Sequence, residues 1–152
     1  MTAQLQALVD SLQIEPCPAT DDQIAVRWKK ALSFLRDSHL QELHAETAFT
    51  LAYYSAVVCA AAVLHAAGFR ALGWEPDDRI FEGVATLEAG EVSQAARAAG
   101  EMYTTMHHVL FGPAMVDLAT LEEMYQLTTQ LFAAAHAWLA EARPTLKLTP
   151  PG

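Results

Sequence analysis

The chain has 152 residues, enough for one domain with a buried core, and 53% of them are hydrophobic, which excludes an intrinsically disordered protein. Eighteen acidic residues face nine basic ones, so the formal net charge is −9 and non-specific binding to nucleic acid is disfavoured. Cys17 and Cys59 are too few for a secreted disulfide scaffold, and the N-terminal MTAQLQALVDSLQ lacks the regions of a signal peptide. We therefore expect a cytoplasmic protein with free thiols.

Two helices are predicted in the first forty residues. Thr2 is a suitable N-cap for a short first helix, whose apolar residues recur at helical spacing (Leu5, Leu8, Val9 and Leu12). The segment IEPCPATDD is typical of a loop because it contains two prolines. A second helix then begins at Thr20 or Asp21. One of its faces is apolar (Ile24, Trp28, Ala31, Leu32 and Leu35), and the other is basic (Arg27, Lys29, Lys30 and Arg36).

A third helix is predicted from about Leu40 to Ala67, with Gly68 placed to end it. Residues 48–67 of this helix contain no Asp, Glu, Lys or Arg, which is the length and composition of a membrane span. Eight of these twenty residues are alanine, however, and no Lys/Arg cluster flanks them to set a membrane topology. We therefore expect a central helix buried on nearly all sides, and no membrane association.

Three more helices are predicted in the second half. After the loop FRALGWEPDD, a short fourth helix begins at Pro76 and Asp77 and is broken at Gly90. A long fifth helix is predicted from about Glu91 to Phe111, where Gly-Pro ends it. The last helix begins with a capping box, Thr120 followed by Glu123, and ends at Arg143-Pro144. The remaining TLKLTPPG is predicted to be a frayed tail.

These elements predict an all-α domain, an up-and-down antiparallel bundle of four long helices with one or two short accessory helices. Residues 1–19 are expected to form an N-terminal short helix and loop, residues 20–143 the bundle, and residues 144–152 a tail. Short connections favour antiparallel neighbours, and alanine at inward positions lets helices approach closely.

The histidines do not predict a metal site. Helical metal sites need ligands three or four residues apart, because only those spacings share a face. No two of the six histidines have this spacing, and the only nearby carboxylate is Glu42, three residues after His39. The chain also lacks a glycine-rich phosphate loop and a G-x-S-x-G motif. We therefore expect no metal and no cofactor.

The adjacent histidines His107 and His108, in the segment MHHVLFGP, are the most conspicuous candidates for chemistry. Neighbouring residues on a helix point about 100° apart, so the pair cannot hold one ion from the same face. One ring can face the core while the other faces solvent or a partner. The pair Tyr53 and Tyr54 lies in the apolar third helix and is more typical of a core, although the hydroxyl groups need partners.

The order of segments resembles that of the HEPN domains (higher eukaryotes and prokaryotes nucleotide-binding). It consists of the helix with AYYSAVVCAAAVLHAAGFRA, the loop and short helix WEPDDRIFEGVATL, the helix ending in MHHVLFGP, and a final amphipathic helix. The resemblance covers roughly residues 22–142. It implies an up-and-down helical bundle that is commonly dimeric. It also implies a metal-independent endoribonuclease of the toxin or phage-defence type, sometimes accompanied by a small nucleotidyltransferase partner.

The sequence departs from this family at the catalytic motif. The family motif is an Arg followed after four to six residues by a His, near the end of the penultimate long helix, and two copies meet across the dimer. Here the matching segment has Met106 in place of the Arg and Phe111 in place of the His. A thioether cannot stabilise phosphorane charge and a phenyl ring cannot carry a proton. The resemblance therefore implies that the ribonuclease chemistry has been lost.

Three hypotheses about function follow. The acidic charge and the missing motif favour a non-catalytic interaction or regulatory module, a homodimer with Met106 and Phe111 at its seam. The histidine pair supports an endoribonuclease with a rearranged site, in which His107 or His108 is the acid/base and Arg97 binds phosphate. The third hypothesis is a nucleotide or small-molecule pocket between helices, and it would be lined by aromatic residues (Tyr53, Tyr54 and Tyr103).

Overall fold

In the computed structural model, which describes residues 1–152, the chain forms seven helices and one two-stranded sheet. The elements in chain order are α1 (Ala3–Asp10), β1 (Ile14–Pro16), α2 (Asp21–Ser38), α3 (Ala45–Ala66), β2 (Phe69–Ala71), α4 (Asp77–Ala85), α5 (Glu91–Gly100), α6 (Tyr103–Phe111) and α7 (Leu118–Ala142). Helices hold 66% of the residues and strands 4%, so the all-α class is confirmed in its broad sense.

Helix α3 is the centre of the molecule. It packs against α2 on one side and α7 on another, and α4 also contacts it. Thirteen of its 22 residues are buried, and many of them are alanines, which favour the helix and allow close packing. This helix is long and apolar enough to span a membrane, but 67% of its most apolar window is buried by the rest of the protein. That burial is consistent with the core helix of a soluble protein.

The prediction of four long helices is not confirmed. Three helices are long, α2 with 18 residues, α3 with 22 and α7 with 25. The predicted fifth helix is divided, because α5 ends at Gly100 and α6 begins at Tyr103. A Cβ atom on Gly100 would lie 3.0 Å from the Cβ atom of Phe81, so the glycine lets α5 approach α4 closely at the position where the helix ends.

The small sheet was not predicted. Strands β1 and β2 pair antiparallel with Ile14 opposite Ala71 and Pro16 opposite Phe69, in two segments that were predicted to be loops. Between them, the Arg70 guanidinium pairs with the Glu15 carboxylate. Three residues are too few to show an alternating pattern, and the two strands are far apart in sequence. Gly68, at φ +95°, ends α3 as predicted and allows the chain to turn into β2.

Two helix starts differ from the prediction. Helix α3 begins at Ala45 rather than near Leu40, because the residues just before it form a turn. Helix α7 begins earlier than the predicted capping box, since the Asp117 carboxylate accepts a hydrogen bond from the Thr120 backbone N–H at 2.7 Å. Asp117 is therefore the N-cap, and Thr120 lies within the first turn.

The terminal segments pack against the same core as the helices. Leu5 and Leu8 of α1 are buried in the main hydrophobic cluster, and Leu146 and Leu148 pack against it from the C-terminal side. The Trp28 indole N–H donates a hydrogen bond of 2.8 Å to the Thr149 carbonyl oxygen. The last residues are thus held to α2 instead of being frayed.

Candidate functional site

Three aromatic side chains follow one face of α6. The rings of Tyr103 and His107 lie 4.3 Å apart, and those of His107 and Phe111 lie 5.7 Å apart, as expected for residues at i, i+4 and i+8. His107 Nε2 is 4.0 Å from Glu75 Oε2, in the loop before α4. His107 is therefore a partly exposed residue between two aromatic rings and one carboxylate.

The structure does not bring the three catalytic candidates into contact. His108 is exposed, and its side chain has no hydrogen bond or ion pair. Arg97 lies on α5, where its Nη2 donates to the Ala85 carbonyl oxygen at 3.2 Å. It lines a shallow hollow between α4 and α5 that contains neither histidine. His107, His108 and Arg97 therefore have separate surroundings.

The three tyrosines do lie close together, around the N-terminus of α4. Tyr53 is fully buried, and its hydroxyl donates a 3.2 Å hydrogen bond to Oδ2 of the buried Asp77. The Tyr53 ring meets Tyr54 edge-on at 5.3 Å. Burial, followed by the nearby Asp77 carboxylate, raises the pKa of Tyr53 far above its usual range, so its hydroxyl stays protonated and serves as a donor.

Tyr54 and Tyr103 share this acidic environment. Burial raises the pKa of Tyr54 first, and the carboxylates of Asp77 and Glu75 raise it further. Burial is also the main cause of the raised pKa of Tyr103, with contributions from Asp78 and Asp77. None of the three tyrosines lines any of the five main surface hollows. Their arrangement fixes α4 to α3 and leaves no cavity of note beside them.

Met106 and Phe111, which the sequence analysis places at a dimer seam, have opposite environments. Met106 is 1% exposed and belongs to the core, so only its neighbours on α6 are accessible to a second molecule. Phe111 is 73% exposed at the end of α6. Other exposed apolar side chains surround it in sequence. We call this set the apolar rim, and it consists of Leu110, Phe111, Met115 and Leu118.

One polar residue that the sequence reasoning passed over is buried without a partner. His65 lies near the end of α3 and is 7% exposed, and neither Nδ1 nor Nε2 has a hydrogen bond. Burial, followed by the positive charges of Arg27 and Arg70, lowers the pKa of His65 below its usual value. The imidazole is therefore neutral near pH 7, with one N–H donor and one acceptor unused.

His65 lines a hollow of about 150 Å³ that continues into a larger one of about 530 Å³. Arg27, Ala61 and Ile80 line both hollows, which makes them parts of one groove between α2, α3, α4 and β2. We call it the basic groove. Its charged and polar lining residues are Asp22, Gln23, Arg27, Lys30, His65 and Arg70. The sequence signals were the basic face of α2 and a histidine in an apolar run.

The chain matches no protein-family model, no curated protein and no solved structure. No group of three or more His, Cys, Asp or Glu side chains lies close enough together to hold a metal ion. The function of the protein must therefore be inferred from the burial, contacts and charge of its residues.

Proposed function

We propose that this protein is a non-catalytic helical module that forms a homodimer through the apolar rim and acts in the cytoplasm by binding partners. The observation that supports this proposal is a stretch of fifteen residues, from Met102 to Val116, without any Asp, Glu, Lys or Arg in a chain of net charge −9. Exposed apolar side chains occur at the end of this stretch and just after it, with Phe111 the most prominent aromatic.

The charge distribution favours a second copy as the occupant of the rim. Two molecules of charge −9 repel each other over most of their surfaces, and repulsion is weakest where neither carries charge. A two-fold axis near Phe111 would place the same uncharged, apolar residues opposite each other. Exposed aromatic residues are typical anchors of such interfaces.

The same proposal includes a HEPN-like arrangement of the helices. In it, α2, α3 and α7 take three of the long positions of an up-and-down bundle, and α5 with α6 takes the fourth. The packing of α3 against both α2 and α7, and of α5 against α7, supports this assignment. Because Met106 and Phe111 replace the motif residues, the module would regulate a partner, such as a nucleotidyltransferase, rather than cleave RNA.

The contact between His107 and Glu75 supports a second candidate function. The Glu75 carboxylate lies 4.0 Å from the imidazole, beyond hydrogen-bonding distance, and would have to move closer to orient the ring as the general acid or base of an endoribonuclease with a rearranged site. Purified protein should then cleave RNA, and the double variant His107→Ala/His108→Ala should not. Equal cleavage by both proteins, or no cleavage by either, removes this candidate.

Sedimentation velocity across a range of concentrations tests the homodimer. We expect a reversible monomer–dimer equilibrium for the wild type. Phe111→Ser should weaken it by about 30-fold, because loss of a central aromatic anchor costs about 2 kcal/mol. Leu40→Ser is the matched control, since Leu40 is also an exposed apolar residue but lies outside the rim. A wild type that is monomeric at every concentration, or a dimer that Phe111→Ser leaves intact, contradicts the proposal.

A further inference from the structure

We infer that the basic groove binds a small amphipathic anion, an apolar body that ends in a carboxylate or a phosphate. This inference does not depend on the proposed dimer, because the groove lies between α2, α3, α4 and β2 while the rim lies at the end of α6. Charge, an unpartnered polar group and the shape of the lining support it independently.

The charge of the groove is opposite to that of the protein. Three of the nine basic residues line it, whereas only one of the eighteen acidic residues, Asp22, does so. The Glu15 carboxylate pairs with Arg70 at the edge, but Arg27 and Lys30 have no ion pair with any carboxylate. Two cations without an ion pair beside one concave surface, against the single carboxylate of Asp22, attract a negatively charged group.

His65 indicates where the anionic group would lie. A buried polar group without a hydrogen bond is costly, and native proteins contain few of them. His65 lines the inner hollow together with Arg27 and Arg70, and its two ring nitrogens are covered by the protein. An oxygen anion in that hollow would interact with both guanidinium groups, and a small turn of the imidazole would let its N–H donate a hydrogen bond to the anion. The ligand would then supply the partner that the protein does not.

The outer hollow suits an apolar body. Its walls are mainly aliphatic, with Val26 from α2 and Val57, Val58 and Ala61 from α3, closed on one side by Ile80 of α4. Its volume of about 530 Å³ is large enough for a short alkyl chain, which would lie against these walls with one side open to solvent. Lys30 lies at this outer part, where it can attract the ligand but is not needed for the headgroup contacts.

Titration calorimetry of the full-length protein with four probes tests the inference. We expect octanoate or octyl phosphate, or both, to bind at least about tenfold tighter than acetate and octanol, because only the first two have both a charged head and an apolar body. The ratio of octanoate to octyl phosphate identifies the preferred headgroup. If neither probe binds more tightly than acetate and octanol, the inference is wrong.

Matched variants locate the site. Arg27→Gln should weaken binding of the tighter probe by about tenfold or more, because it removes a charge-assisted contact. Arg36→Gln, a change of the same chemistry on the same helix but outside the groove, should leave the affinity unchanged. In NMR spectra the His65 ring should shift on titration and its pKa should rise, since a nearby anion favours the imidazolium form. Equal affinities for both variants, or an unmoved His65 signal, place the anion elsewhere and overturn the inference.

Discussion

The basic groove and the apolar rim differ from the average surface of this protein in opposite ways. The groove collects three of the nine basic residues around a buried histidine, and the rim belongs to a region from which charge is almost absent. The chain has twice as many acidic as basic residues, so a cluster of cations and a region without charge both differ from the rest of the surface. In our two proposals, an acidic protein keeps two kinds of recognition apart, one through concentrated charge and one through the absence of charge.

The largest expected effect is a separation of the two regions by mutation. Phe111→Ser should weaken self-association by about 30-fold while changing the affinity for octanoate or octyl phosphate by less than about twofold. Arg27→Gln should weaken binding of the probe by about tenfold or more and change self-association by less than about twofold. Sedimentation velocity and calorimetry on both variants measure the four values. If either substitution alters both properties to a similar extent, the two regions are coupled and do not act as separate sites.

A second prediction concerns the free-energy cost of burying the His65 imidazole without a hydrogen-bond partner. Replacing it by Leu removes two unpartnered ring nitrogens and keeps an apolar side chain of similar size. We expect His65→Leu to raise the free energy of unfolding by about 1–2 kcal/mol and to lose anion binding. Urea denaturation measures the stability, with His136→Leu as a control at a partly exposed histidine. A loss of stability in His65→Leu would mean that the imidazole has a partner in the folded protein.

The pH dependence of the same variant checks this explanation. Because the folded protein lowers the pKa of His65, the unfolded chain takes up the proton first as the pH falls below about 6.5. The charged groups that face the ring are Arg27 of α2 and Arg70 of β2, whereas α4 contributes the uncharged Ile80. The stability advantage of His65→Leu over wild type should therefore grow between pH 7.5 and about pH 5.5. A constant difference across this range would contradict it.

Salt should change ligand affinity at the basic groove and self-association through the apolar rim in opposite directions. Raising the salt concentration from about 0.05 M to about 0.5 M shortens the screening length severalfold. Octyl phosphate binding should weaken, because screening reduces its attraction to Arg27 and Lys30, whereas self-association should strengthen because the repulsion between two acidic copies is screened. Parallel titrations at the two concentrations measure both. A dimer that dissociates in salt indicates an interface held by charge, contrary to the proposal.

The smallest expected effect comes from Asp22, the only carboxylate that lines the groove. Asp22→Asn removes a negative charge near the bound anion without changing the shape of the side chain. Affinity should rise by about twofold to threefold, which corresponds to a surface charge interaction of roughly 0.5 kcal/mol. Asp37→Asn, at the other end of α2, is the control. An unchanged affinity for Asp22→Asn would place the anionic head farther from the mouth of the groove.

The sequence was sufficient where the cause of a structural feature is local. The end of α3 at Gly68 and the start of α4 at Asp77 were predicted because glycine and proline act on their own segment of backbone. The break between α5 and α6 was not predicted, and Gly100, where α5 ends, lies against Phe81 of another helix, a contact that the spacing of residues in the sequence does not reveal. The pairing of β1 with β2 was missed for the same reason, since it joins segments more than fifty residues apart.

The candidate site shows the same division. The position of Tyr103, His107 and Phe111 on one face of α6 follows from helical spacing and was accessible from the sequence. The burial of Met106 also follows from helical spacing, because Met102, one turn before it, is buried on the same side. His65 stood out only as a polar residue in an apolar run. Its importance appears when α2 and β2 bring two arginines to the same hollow.

Two of the three tryptophans lie in opposite environments and can serve as internal optical reporters. Trp28 is 1% exposed and its indole N–H is bonded to the Thr149 carbonyl, whereas Trp74 is 97% exposed in the loop after β2. Fluorescence from Trp28 therefore monitors whether the C-terminal residues are docked, and quenching of Trp74 by a soluble agent monitors the surface. Chains shortened before Thr149 would leave a buried N–H group without its acceptor, and the emission of Trp28 would record that loss.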